Sequence, residues 1–181
     1  CGRFTLTVDP AELKDAFGDF IFPEKFAPRF NIAPTQPVLA IPNDGKNKAD
    51  FFLWGLIPSW SKDPAIANKL INARGETIAE KPSFRGGFKY KRCLILADGF
   101  YEWKAQEGSK TKTPYFIHMK DRKPFAFAGL WDEWQSPNGD ALRTCTIITI
   151  NPNELMATLH NRMPVILDKK NYVDWLDPAP R

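Results

Sequence analysis

The chain has 181 residues, of which 43% are hydrophobic, and this size and composition fit one domain with a sizeable core. A formal net charge of +4 permits binding to a polyanion but does not require it. No apolar run approaches the roughly 18 residues that a membrane-spanning helix needs. Three widely spaced cysteines do not form a disulfide framework or a zinc motif, so we expect a reducing intracellular compartment.

Segments of alternating or β-branched apolar residues predict the strands of the protein. The polar Asn43-Asp44-Gly45, between the segments 38–41 and 51–53, is expected to form a turn. A proline-rich loop is expected at 22–37, and a polar, non-periodic loop suited to a site is expected at 71–77. The predicted strands, in chain order, are 3–8, 38–41, 51–53, 93–96, 100–104, 115–119, 125–130 and 142–150.

Four short helices are predicted between and after these strands. Asp9 can cap the first of them, Pro10 suits the first helical position, and the helix should end near Gly18. The same cap and proline recur at Asn151-Pro152. The predicted helices, in chain order, start at Asp9, Asp63, Asn151 and Lys169, and the last three end near Leu70, Leu159 and Leu176.

This order of elements lacks the strand–helix–strand alternation of a parallel doubly wound sheet. We therefore predict an α+β fold in a single domain over 1–181, with a curved antiparallel sheet or open β-barrel-like core and short peripheral helices. No internal repeat, low-complexity tract or linker interrupts it.

Cys1 is the first candidate for chemistry. If it is the mature terminus, it carries an α-amine whose pKa is roughly 7.7–8.0, against about 10.4 for lysine. An unprotonated amine attacks aldehydes to give a Schiff base, and the adjacent thiol can then close a five-membered thiazolidine ring. A simply buried thiol is the other interpretation of this position.

No phosphate-binding loop, dinucleotide fingerprint, zinc-protease motif or nucleophile elbow is present. His160 follows a predicted helix and is a candidate acid–base group, as is Glu102 on a predicted strand. Asn72 and Arg74 in the polar loop are candidate anchors. The spacing of these residues does not show that they meet in space.

Arginines stand beside aromatic residues at several points, for example Arg3-Phe4 and Arg29-Phe30. Single-stranded nucleic acid is held by cationic grooves with aromatic stacking platforms. Scattered surface arginines next to core aromatics give the same pattern, so both interpretations stay open on this evidence.

Seven segments of the chain are similar, in order, to one known family. The residues at these positions resemble the SRAP (SOS response-associated peptidase) family over essentially the whole chain. One departure is Gly75, which stands where that family has alanine. The matching segments are Cys1–Phe4, Asn31–Gln36, Trp54–Trp60, Asn72–Arg74, Ala97–Trp103, Phe127–Trp131 and His160–Leu167.

The resemblance implies a sensor of abasic sites in single-stranded DNA that loses its initiator methionine and forms a covalent DNA–protein crosslink through the N-terminal cysteine. It implies that Cys1 supplies amine and thiol, that Glu102 and His160 move protons, and that Asn72 orients Cys1. The implied DNA contacts are phosphate contacts from Arg3, Arg74 and Arg162, and a stacking surface from Pro34, Trp60 and Trp103.

The same resemblance implies a monomer that uses no cofactor and no metal, cytoplasmic in a bacterium or nuclear in a eukaryote. Two other functions remain open at this stage. One is a cysteine peptidase that removes its own initiator methionine or cleaves other proteins, with Cys1 as nucleophile. The other is a single-strand binding module in which the cysteine is incidental.

Overall fold

The computed structural model describes residues 1–181, and short strands dominate it. Four α-helices and two 3-10 helices, Pro64–Lys69 and Lys169–Asn171, lie between or after them. The strands are β1 (Phe4–Leu6), β2 (Arg29–Ile32), β3 (Pro37–Pro42), β4 (Asp50–Trp54), β5 (Asn72–Arg74), β6 (Arg92–Ala97), β7 (Gly99–Ala105), β8 (Lys112–Ile117), β9 (Phe125–Gln135), β10 (Ala141–Ile150), β11 (Met163–Pro164) and β12 (Ile166–Leu167). The helices are α1 (Pro10–Ala16), α2 (Arg85–Tyr90), α3 (Glu154–Ala157) and α4 (Tyr172–Trp175).

Five strands close into a barrel in the order β10, β4, β3, β6 and β9, because β9 also pairs with β10. Apolar side chains fill it, which is why β6 is buried along its whole length. The α+β class with a barrel-like core is thus confirmed. The sheet is mixed rather than purely antiparallel, since β10 runs parallel to both β4 and β5.

A second sheet of four antiparallel strands, β2-β1-β7-β8, packs beside the barrel. Phe4 of β1 joins the two, with its ring centroid 5.0 Å from that of Trp54 and 5.6 Å from that of Phe127. Edge-to-face packing of this kind adds stability beyond the buried area. The inner face of this small sheet therefore lies against the core, and its outer face points away.

Asp98 connects the barrel to the small sheet, between the end of β6 and the start of β7. Its buried carboxylate accepts hydrogen bonds from the hydroxyls of Thr5 (2.5 Å) and Thr7 (2.6 Å) and from the amides of Thr7 (2.7 Å) and Val8 (3.1 Å). A carboxylate with four donors is a strong anchor. It fixes β1, and with β1 the residues that precede it.

The local signals place several elements correctly. The Asp9 side chain accepts from the Glu12 amide at 2.8 Å and Pro10 opens α1, as predicted. The cap expected at Asn151 is wrong by two residues, because Asn153 caps α3 through the Met156 amide. His118, expected inside a strand, follows the end of β8.

Five elements were not predicted: β2 inside the proline-rich loop, β5 inside the polar loop, α2, and the two-residue strands β11 and β12. No helix of the structure combines the length and apolar character needed to span a membrane.

Candidate functional site

An open cleft of about 510 Å³ lies where the first residues of the chain pass the small sheet and the loop after α3. It brings together all four residues predicted to be catalytic, along with two of the predicted DNA contacts. The cleft is lined by Cys1, Gly2, Arg3, Ile71, Asn72, Glu102, Trp103, Lys112 and His160.

Cys1 is held at the floor of this cleft by backbone pairing. Phe4 of β1 lies opposite Phe100 of β7, and the Tyr101 amide donates to the Arg3 carbonyl at 2.9 Å. The chain before β1 therefore runs antiparallel beside β7. The Cys1 side chain has no exposed surface, and its thiol lies 3.8 Å from the Arg3 carbonyl oxygen.

The α-amine of Cys1 lies 3.8 Å from Oε2 of Glu102. Burial lowers the pKa of this amine below its usual 8.0, while the charge of Glu102 acts in the opposite direction. Desolvation disfavours the ammonium form, so the buried amine is unprotonated at a lower pH than an exposed terminus. The neutral amine is the nucleophilic form.

Glu102 reaches the cleft because successive side chains of β7 point to opposite faces of the sheet. Glu102 and Phe100 face the core side of the sheet, where both are buried, while Tyr101 and Trp103 face the other side. Oε2 of Glu102 is buried without a hydrogen-bond partner. A buried carboxylate oxygen without a hydrogen-bond donor is costly, and this one faces the α-amine of Cys1.

His160 stands on the other side of Glu102, with Nε2 at 3.8 Å from Oε1 of the carboxylate. The backbone amide of Arg162 donates to its Nδ1 at 3.1 Å, and the Arg162 carbonyl oxygen lies at 3.3 Å. We assign Nδ1 as the acceptor of the shorter contact, which leaves the proton of the neutral ring on Nε2.

Asn72 is placed by β5, which runs parallel to β10 in the register Asn72–Ile147. The residue before it is fixed twice, because the Ile71 carbonyl accepts from the Trp54 indole at 3.0 Å and from the Ile147 amide at 3.1 Å. Asn72 Nδ2 donates to the Cys1 carbonyl at 3.1 Å. Its Oδ1 is buried without a partner, close to the first residue.

Arg162 lies behind His160 and is held by the protein itself. Its guanidinium donates to both oxygens of Glu76 at 2.8 and 2.9 Å and to the Thr149 carbonyl at 2.9 Å. The paired guanidinium lowers the pKa of Glu76 to about 2 and raises that of Arg162. The predicted phosphate contact from Arg162 thus competes with an internal carboxylate.

The remaining predicted DNA contacts are dispersed around the cleft. Arg74 is exposed at the end of β5, Trp60 is 60% exposed in the loop after β4, and Pro34 is half-buried. None of these three lines the cleft. Lys112, which does line it, was missed, because a lysine in a polar hairpin has no signal in the sequence that separates it from any surface lysine.

The other two cysteines lie in the barrel core, on β6 and β10, without exposed surface. Burial raises the pKa of both the Cys93 and Cys145 thiols. A thiol kept protonated in this way is a poor nucleophile. No cluster of three or more His, Cys, Asp or Glu side chains could hold a metal ion.

These features define a class of protein: an α+β domain whose first residue presents a buried amine and thiol beside a carboxylate and an imidazole. The profile of the SOS response associated peptidase (SRAP) family matches residues 1–181, and the chain belongs to this family.

Relatives of known name and structure agree with this placement. The abasic site processing protein YoqW of Bacillus subtilis is 51% identical over 181 residues, which cover 98% of this chain and 80% of YoqW. The abasic site processing protein HMCES of Xenopus tropicalis is 33% identical over 222 residues, covering 98% of this chain and 66% of that protein. A crystal structure of a Bacteroides thetaiotaomicron protein superposes with a TM-score of 0.85 at 29% identity, covering 98% of this chain and 82% of that one.

Proposed function

We propose that this protein recognises abasic sites in single-stranded DNA and forms a covalent thiazolidine crosslink through Cys1. The observation that carries the proposal is the buried amine of Cys1, which lies 3.8 Å from Glu102 and has a lowered pKa. The names of the relatives, abasic site processing proteins, support the choice of lesion. The protein would act as a monomer, without metal or cofactor, in the compartment that holds the DNA.

An abasic deoxyribose exists partly as an open-chain aldehyde, and this aldehyde is the electrophile. The Cys1 nitrogen adds to the aldehyde carbon, and the carbinolamine loses one water to give an imine. The sulfur then adds to the imine carbon, and the thiol proton goes to the nitrogen. One molecule of water is the only product besides the ring, so no oxidant or reductant is needed.

Glu102 and His160 are suited to the proton transfers of this sequence. Unpartnered Oε2 of Glu102 takes a proton from the attacking amine and returns it to the departing hydroxyl. Nε2 of His160 lies 3.8 Å from the same carboxylate and can relay protons to the opened sugar. Asn72 fixes the carbonyl of Cys1, so the amine and the thiol keep their orientation.

The test is the reaction of the protein with single-stranded DNA that contains one abasic site. We expect a heat-stable adduct whose intact mass is the sum of both molecules less one water. Cys1→Ser keeps the amine but lacks the thiol, so its adduct should survive only after borohydride reduction of the imine. Cys145→Ala, which removes a core thiol outside the cleft, should crosslink like the wild type.

Two results would contradict the proposal. One is a heat-stable adduct from Cys1→Ser without reduction. The other is full crosslinking by a chain whose amine is acetylated or preceded by another residue. A loss of crosslinking together with a loss of non-covalent DNA binding would instead point to a folding defect, so binding is measured in parallel.

A cysteine peptidase is the second candidate, since the family description names that activity. Cys1 with Glu102 and His160 offers a nucleophile and acid–base groups for removing a preceding methionine or for cleaving other proteins. Turnover of peptides supplied in solution, lost in Cys1→Ser, would favour this function over the crosslink.

A further inference from the structure

Four aromatic rings follow one another on the outer face of the small sheet, and the proposed chemistry uses none of the last three. We call them the aromatic row: Trp103, Tyr101, Phe116 and His118. Successive ring centroids are 6.4, 5.1 and 5.6 Å apart. The row therefore runs continuously across β7 and β8 and onto the residue after β8.

The row lies on the opposite face of β7 from Glu102. Tyr101 pairs with Phe116 across the two strands, while Glu102 pairs with Tyr115. Phe116 is 42% exposed although its side chain is apolar. The burial of apolar surface thus does not explain why the rings stand here.

The local structure holds these rings against the strands. A Cβ on Gly99 would lie 2.2 Å from Cζ of Phe116, so only glycine lets this ring lie flat on the neighbouring strand. The Tyr101 hydroxyl donates to the Phe30 carbonyl at 3.1 Å, which fixes the second ring. Rings fixed in this way lose little conformational entropy when a flat ligand binds.

The charge of this sheet favours a polyanion. Lys112 pairs with Ala105 and therefore lies on the same face as the row, whereas Glu102 and Lys104 lie on the core side. Arg3, just before β1, donates to the amide oxygen of Asn31 and has no acidic partner. An exposed aromatic surface with cationic surroundings is typical of single-strand binding sheets.

Trp103 lines the Cys1 cleft and also starts the row, so the cleft and the outer face form one continuous surface. We propose that Tyr101, Phe116 and His118 stack on bases of single-stranded DNA that lie beyond the nucleotides directly next to the lesion. This inference rests on the proposed function, and it adds a second contact region to the cleft. The alternative occupant is a protein partner or a second copy of this chain, and the positive charges beside the row favour DNA over either.

The test uses single-stranded DNA with a tetrahydrofuran abasic analogue, which has no aldehyde and therefore reports binding alone. For oligonucleotides with about six nucleotides on each side of the lesion, Phe116→Thr should weaken binding at least about fivefold, the effect of one lost stacking contact. With one nucleotide on each side, variant and wild type should bind equally. Fluorescence anisotropy gives both affinities.

Phe51→Thr is the matched control, because Phe51 is 44% exposed on β4, outside the aromatic row. It should bind long and short DNA like the wild type. His118→Thr serves as a second variant at the end of the row, where loss of strand stability is a smaller concern. Wild-type affinity for long DNA in both row variants would overturn the inference, as would a change in self-association of Phe116→Thr with unchanged DNA binding.

Different results would contradict the proposed crosslinking function and the proposed stacking by the aromatic row. If the wild type gives no adduct with aldehyde-bearing DNA, the proposed function is wrong, while the analogue still measures stacking. If Phe116→Thr crosslinks saturating DNA at the wild-type rate but loses affinity only for long DNA, the row acts in binding and not in the chemistry.

Discussion

The pKa of the Cys1 amine is set by opposing influences, and their balance determines the pH at which the amine becomes neutral. Burial favours the neutral form, and this is the larger influence; the Glu102 carboxylate favours the ammonium form. The net effect is a lowered pKa, so a useful fraction of neutral amine does not require alkaline conditions. The charge of Glu102 therefore reduces the neutral fraction of the amine, and in the proposed mechanism proton transfer by Glu102 offsets this cost.

This balance predicts a change in the pH profile of Glu102→Gln. In the wild type, the rate of imine formation should rise with pH and level off below the usual amine pKa of 8.0. The variant lacks the negative charge that raises the amine pKa, so its midpoint should move to still lower pH. Its maximal rate should fall about 100-fold, because the proton acceptor is gone.

Initial rates of borohydride-trapped adduct between about pH 5 and 9 measure both effects. Glu107→Gln, at an exposed position in the β7–β8 hairpin, is the control and should keep the wild-type profile. An unchanged midpoint in Glu102→Gln would show that the carboxylate does not act on the amine.

The loop between α3 and β11 holds His160 through Arg162. The Arg162 backbone donates to the imidazole, while its side chain bonds to Glu76 and to the Thr149 carbonyl. The ion pair thus ties the loop that carries the histidine to the segment that follows β5. Asn72 lies on β5, and the loop that carries His160 is held by the segment directly after β5, so adjoining parts of the chain position both side chains.

We predict that Glu76→Gln lowers the melting temperature at pH 7 and that the difference disappears in acid. The pKa of Glu76 is lowered in the folded protein from 4.5 to about 2, so its ion pair contributes stability above pH 4.5 and loses it as the pH falls toward 2. Thermal unfolding of both proteins between about pH 2 and 7 measures the gap.

Glu80→Gln is the control for this experiment, since Glu80 is exposed and makes no ion pair. A gap between Glu76→Gln and wild type that stays constant over the whole range would mean that packing, not the charge of Glu76, is responsible.

The elements that depend on residues close together in the sequence were predicted correctly. Asp9 with Pro10 caps α1, and the alternation of 100–104 puts Glu102 and Trp103 on opposite faces. Helix α2 was missed because it contains two glycines and has no side-chain cap. Strand β5 was interpreted as a loop because its three residues become a strand only by pairing with β10.

The cleft itself could not be derived from spacing. Cys1, Asn72, Glu102 and His160 are distant in the chain, and they meet through the register of β1 on β7 and of β5 on β10. Such register depends on the packing of whole strands and has no local signature. The residue types and their setting named these four as candidates, and the family resemblance gave each a role; the contacts between them required the structure.

One buried arginine joins the barrel to helix α2 and to the C-terminal region that contains α4. Arg92 begins β6 and has no exposed surface. Its guanidinium donates to the Phe88 and Lys89 carbonyls of α2 at 2.9 Å and to the Trp175 carbonyl at 3.0 Å, and also to the carbonyls of Asp177 and Ala179. No carboxylate takes part, so the charge is satisfied by backbone oxygens alone.

We predict that Arg92→Met destabilises the whole molecule. The substitution preserves much of the volume but leaves buried carbonyls without donors, at about 1–3 kcal/mol each, so the unfolding free energy should fall by at least about 3 kcal/mol. For a chain of this size the melting temperature should drop by about 6–12 °C. Arg85→Met, at an exposed position of α2, should change it little.

Because Arg92 lies outside the Cys1 cleft, Arg92→Met should crosslink abasic DNA at the wild-type rate below its melting temperature. A wild-type melting temperature would show that water replaces the guanidinium at these carbonyls, and a lost crosslinking rate in the folded variant would show that the C-terminal region acts on the cleft.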